Sequence, residues 1–148
     1  MEKYNLRPQL VFDYFSQINK VPRPSKREEK MIAFLQSFSA EHSLECKTDE
    51  AGNVLITKPA SKGMEHKPRV VLQSHIDMVC EKTSDRVIDF DNDPIETYID
   101  GDWLRAKNTT LGADDGMGVA AAMAVIEDET VAHGPIAVLI KKEEETGM

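Results

Sequence analysis

Long hydrophobic runs are missing from this chain. A helix that crosses a bilayer needs about 18–20 apolar residues, and the longest apolar-looking run, Gly118 to Ile126, falls far short. The N-terminus (Met-Glu-Lys-Tyr-Asn-Leu-Arg-Pro) lacks the apolar core of a secretory signal. Cysteine is scarce: Cys46 and Cys80 are too few for a disulfide framework, and a reducing, cytoplasmic setting is expected. Positive charge is in deficit, with 18 Lys and Arg against 26 Asp and Glu and a formal net charge of −8. Clustered Lys and Arg are what phosphate neutralisation requires, so neither a nucleic acid nor a membrane is expected as a partner. What is present suffices for a core: 41% of the 148 residues are hydrophobic, in a length that suits one ordinary domain. The carboxylate surplus fits a protein that gathers divalent cations, although composition alone does not establish it.

Periodicity predicts an α/β pattern. Val11, Tyr14, Phe15 and Ile18 fall on one helical face, and Pro22 and Pro24 end that helix. Ser25-Lys26-Arg27-Glu28 has the capping-box form, so a second helix is expected to start at Ser25, with Met31, Phe34, Leu35 and Phe38 behind it. Leu44 to Thr48 and Asn53 to Lys58 read as short strands around Gly52. Arg69 to Gln73 reads as a buried central strand. Ile95 to Ile99 and Asp102 to Ala106 flank Asp100-Gly101, a hairpin turn. Gly116 to Glu127 reads as a third helix, and Ile136 to Ile140 as a second buried strand. Such strands need helices on both faces, and only three helices precede the last one. An α/β domain that is incomplete within this chain is therefore expected.

Three clusters carry chemistry. In Ser74-His75-Ile76-Asp77-Met78, directly after an apolar strand, His75 and Asp77 point the same way in extended chain. The pair suits a metal-ligating imidazole with a carboxylate orienting its other ring nitrogen; a solvent-facing polar strand end fits it too. Leu111 to Gly118 sets Asp114 and Asp115 before the third helix, where a simple N-cap role for one of them fits too. Its glycines, Gly112, Gly116 and Gly118, allow backbone to approach another group closely, and their spacing is not that of a dinucleotide fingerprint. Glu143-Glu144-Glu145 after the last strand is either a solvated end or an addition to the crevice at parallel strand ends. Carboxylate oxygen and imidazole nitrogen suit hard divalent metals. Asp89 to Asp93 starts like a calcium loop, but Pro94 stands where that loop needs glycine, and a plain acidic loop is the better reading. His42, His66 and His133 read as surface residues, and Cys80 as a small buried hydrophobe.

Together the clusters resemble the aminoacyl-histidine dipeptidases (Xaa-His dipeptidases, PepD type), co-catalytic zinc metallopeptidases. The matching residues are Val71 to Val79, Thr109 to Gly116 and Glu144 to Met148, with Val21-Pro22-Arg23-Pro24-Ser25 and Asp49 to Val54 also alike. The resemblance implies an incomplete three-layer, mixed-sheet metallopeptidase catalytic domain of which residues 1–148 are the N-terminal part, ending after the Glu-Glu motif and lacking the lid domain. It implies two divalent metal ions, zinc foremost, with cobalt or manganese as alternatives. In its pattern His75, Asp114 and Glu145 are metal ligands, Asp114 bridging the two ions; Asp77 orients His75, and Glu144 is the general base. A further acidic ligand and a late histidine would lie beyond Met148, so the chain alone is expected to be nearly inactive. The implied substrate is a small peptide, a dipeptide with C-terminal histidine, and the longer parent would be a homodimer. A tripeptidase or carboxypeptidase with the same metal core, and a non-catalytic metal-binding module, are the rival readings.

Overall fold

The structure, a computed structural model, describes residues 4–147. Met1 to Lys3 and Met148, the last residue of the Glu144–Met148 motif, lie outside the described residues. The elements are α1 (Gln9–Ile18), α2 (Glu29–Glu41), β1 (Glu45–Thr48), β2 (Val54–Lys58), β3 (Val70–His75), β4 (Thr97–Asp100), β5 (Trp103–Ala106), α3 (Ala113–Glu127) and β6 (Ile136–Lys141). Four strands form a mixed sheet in the order β1-β2-β6-β3, in which only β3 and β6 are parallel; β4 and β5 form a separate hairpin.

Period-2 patterning puts the core on one face of the sheet. Val54 and Ile56 of β2 lie opposite Ile140 and Val138 of β6, and all four are buried. The helices pack on this face through Phe15 and Ile18, Met31 and Leu35, and Val119 and Met123, in one continuous cluster. Leu55, Val71 and Leu139 lie on the opposite face, and Val71 is 56% exposed. The mixed α/β sheet expected from the sequence is present, with one helical layer among the described residues.

Four local expectations are corrected. The second helix starts at Glu29 rather than Ser25. Lys26 has φ +76°, and both ends of the capping box are taken elsewhere: the Ser25 hydroxyl donates to Asp77, and Glu28 accepts from the Lys26 amide. The strand at 70–75 is an edge strand whose first residues face solvent, because only β6 pairs with it among the described residues. The hairpin turn is Gly101-Asp102, closed by the Asp100–Trp103 pair, with Gly101 at φ +59° in the first central position. Cys80 is half-buried rather than buried.

Candidate metal centre

Parallel pairing of β3 with β6 brings His75 opposite Lys141, so both strands deliver their C-terminal ends to the same place. From β3 come His75 and Asp77, and from β6 the segment 142–145. The entry to α3 supplies Asp114 and Asp115. Neither acid caps the helix: the N-cap is Gly112, in the left-handed region at φ +73°, and no side-chain cap bond forms. Asp114 and Asp115 have non-helical backbone, and regular helix begins at Gly116, as its apolar spacing predicts.

The two acids divide around one histidine. Asp114 Oδ1 lies 3.0 Å from His75 Nε2, while Asp115 Oδ2 accepts the His75 backbone N–H at 3.3 Å. The Asp115 carboxylate folds over Gly118, where a Cβ would fall 2.3 Å from Oδ1. On the other side of the ring, His75 Nδ1 stands 3.1 Å from Asp77 Oδ1. Asp77 is fully buried and fully bonded. Its Oδ1 accepts the Glu144 N–H at 2.9 Å; its Oδ2 accepts the Ser25 hydroxyl at 2.7 Å and the Glu145 N–H at 3.2 Å. A buried anion needs such a shell of donors. Asp77 thus fixes the His75 ring and the backbone of both glutamates at once.

One nitrogen of His75 and one oxygen each of Asp114 and Glu145 lie within 4.8 Å of one another, a group able to hold a metal ion. Electrostatics favours a cation there. Glu145 has its pKa raised by desolvation and then by the Asp114 charge, the mark of acids brought together against their repulsion. Burial pulls the His75 pKa down, but its bonds to Asp114 and Asp77 outweigh this and raise it. The centre is an open shelf: the Asp114 side chain is 84% exposed. Clefts of about 660 and 680 Å³ lie elsewhere, around α1 and the β4–β5 hairpin, and none of the five expected site residues lines them.

Four of the five expected site residues therefore meet through side-chain atoms. The fifth, Glu144, is tied in through its backbone N–H, with an exposed side chain. Ser25 and Arg23 had no assigned part. Their only sequence signal is the Val21–Ser25 motif, since a bond spanning about 50 residues leaves no periodic trace. The acidic loop binds itself: the Asp91 N–H and the Asn92 amide donate to Asp89, and Arg27 pairs with Asp91 at 2.8 Å. His66 is exposed, while His42 and His133 are half-buried with Nδ1 against the Phe38 and Gly134 carbonyls.

No family model matches the chain. It is 48% identical over 147 residues to the cytosol non-specific dipeptidase of Escherichia coli, a match covering 99% of this chain and 30% of that protein. Among solved structures, the aminoacylhistidine dipeptidase of Vibrio alginolyticus superposes with a TM-score of 0.96 at 46% identity, over 100% of this chain and 30% of the other. A tripeptidase of Staphylococcus aureus superposes at 0.76 with 22% identity, over 96% of this chain and 38% of the other, a likeness of fold alone. The resemblance carried by the motifs is thereby borne out: over nearly its whole length the chain is similar, in sequence and in fold, to a part of these dipeptidases, spanning 30% of their length.

Proposed function

We propose that the chain is part of the catalytic domain of a metal-dependent dipeptidase that hydrolyses Xaa-His dipeptides such as β-alanyl-histidine. The observation that carries this reading is the meeting of His75, Asp114 and Glu145 at the ends of two parallel strands, with Asp77 buried behind them. The donor set fits a divalent ion: one imidazole nitrogen and carboxylate oxygens, already gathered at an electrostatic cost that a cation relieves. When bound, the ion polarises a peptide carbonyl and lowers the pKa of a coordinated water toward about 7.

In this reading His75, Asp114 and Glu145 would hold the metal, zinc foremost, and Asp114 would serve both of two ions. Asp77 holds the His75 ring so that Nε2 faces outward. Glu144 takes a proton from the attacking water and returns it to the leaving amine. Its backbone is held by Asp77 while its side chain stays in solvent, which suits a group that must swing a proton between two positions. Three donors meet among the described residues, few for two ions, and the chain spans 30% of the length of the dipeptidases it matches, so little turnover is expected of the chain alone.

Bound metal and hydrolysis of β-alanyl-histidine, measured for the chain and for a longer protein containing it, test this reading. Metal-dependent turnover by the longer protein is expected, with faster rates on dipeptides ending in histidine than on those without. Replacing Glu144→Gln there abolishes hydrolysis and spares metal binding; unchanged hydrolysis removes the general base and favours a non-catalytic module. Stoichiometric binding of two ions with robust turnover by the short chain overturns the shared-ligand account.

A further inference from the structure

Arg23 heads the fully buried side chains by volume, at 2% exposure, yet the proposed reaction gives it no part. Its guanidinium is aimed at two carbonyls: Nη1 donates to Ile76 O at 3.0 Å and Nη2 to Gly112 O at 2.7 Å. Ile76 lies between His75 and Asp77. Gly112 is the N-cap of α3, two residues before Asp114. One planar fork therefore spans the two segments whose side chains meet at the centre. Burial lowers the Arg23 pKa to about 10, which leaves the group charged at neutral pH.

The glycines of the second segment have been cleared for this fork. A Cβ on Gly112 would fall 2.5 Å from Arg23 Nη2, and one on Gly116 would fall 2.6 Å from the same atom. Gly112 also needs its positive φ. Gly116 has helical backbone and no such need, so its missing side chain answers to its neighbours, Arg23 and the Phe15 ring edge at 3.0 Å. Arg23 and two glycines about 90 residues downstream of it thus agree on one geometry.

We propose that Arg23 is a positioning residue that sets the spacing between the His75–Asp77 segment and Asp114, and through it the affinity of the centre for a divalent cation. This rests on the metal-centre reading above and adds a residue outside the ligand set. A lysine reaches one carbonyl but not both, and a methionine fills the space without donating.

The test titrates cobalt(II) into the chain and its variants, and reads the ring ¹⁵N resonances of His75 in the metal-free protein. In Arg23→Met, cobalt affinity falls at least tenfold and the His75 Nε2 resonance shifts as its Asp114 contact loosens; Arg23→Lys falls between. Gly116→Ala does the same in the native background. Added to Arg23→Met it costs less than it does alone, because the rigid contact at Nη2 is replaced by a flexible methionine, while the Phe15 ring edge at 3.0 Å still opposes the methyl group. Leu35→Ala, which loosens the core under β1 and β2, lowers the melting temperature and leaves both readouts in place. Folded Arg23→Met or Gly116→Ala with native cobalt affinity and an unmoved His75 resonance overturns the proposal, as does additivity of the two substitutions. If the native chain takes up no cobalt, the titration moves to the longer protein, where no uptake overturns the metal reading, and the metal-free resonance decides the positioning role in either case. If Arg23→Met does not fold, Arg23→Lys and Gly116→Ala carry both measurements.

Discussion

Replacing Asp77→Asn keeps the shape of the residue that ties the centre together and removes its charge. Each oxygen of Asp77 has two neighbours: Glu144 N–H and His75 Nδ1 at Oδ1, the Ser25 hydroxyl and Glu145 N–H at Oδ2. Asparagine offers one oxygen. Placed with its amide at the Oδ2 position, it meets a serine that can turn to accept and a backbone N–H that cannot. A hydrogen bond to a charged group contributes about 1.5–3 kcal/mol, and an unmatched buried donor costs about 1–3 kcal/mol. The lighter desolvation of a neutral amide offsets part of this, so the net loss is about 3 kcal/mol. For a domain of this size each 1 kcal/mol moves the melting temperature by roughly 2–4 °C, so a fall of about 6–12 °C is expected by circular dichroism. Zinc affinity falls with it, by about 10- to 100-fold, as for loss of a carboxylate that orients a ligating histidine. Wild-type melting together with wild-type zinc affinity in D77N would refute the view that this carboxylate organises the centre.

Glu28 is fully buried, and its Oε2 finds no hydrogen bond. Burial raises its pKa, only partly countered by the Lys26 N–H and the Lys142 charge. The folded protein therefore binds this proton more tightly than the unfolded chain does. Stability falls as pH rises from the ordinary glutamate range through the raised value. Glu28→Gln should remove that slope and match or exceed the native melting temperature at alkaline pH; parallel melting-versus-pH curves for the two proteins would contradict it. Gly118→Ala places a methyl group 2.3 Å from Asp115 Oδ1, so the carboxylate must leave the His75 N–H. Destabilisation by about 1–3 kcal/mol is expected in chemical denaturation, and a native unfolding midpoint would show that Asp115 has room to move.

Much of this arrangement was legible because it is local. Tyr14, Phe15 and Ile18 keep helical spacing, and burial follows it. His75 and Asp77 alternate in extended chain and do share a face. The glycines near Asp114 announced a close approach, although which group approaches could not be read. Failures came where distant residues compete for local bonding groups. The capping box at Ser25 is locally sound, but the Ser25 hydroxyl is turned to donate to the distant Asp77, Glu28 accepts from the Lys26 N–H, and the positive φ of Lys26 breaks the helical path. Arg69 to Gln73 reads as a buried central strand because an apolar run does not record how many strands pair with it, and among the described residues only β6 does. Arg23 was invisible in a stronger sense: its partners are backbone carbonyls, and every residue has one.

The donors that hold Asp77 lie 67 and 68 residues downstream of it. They reach it only after β6 has found β3, so no early, locally collapsed form of the chain has a finished ligand set. Cation capture then becomes a clock for the last long-range step of folding, and a burst of cobalt colour during refolding would time the moment when the two strands register.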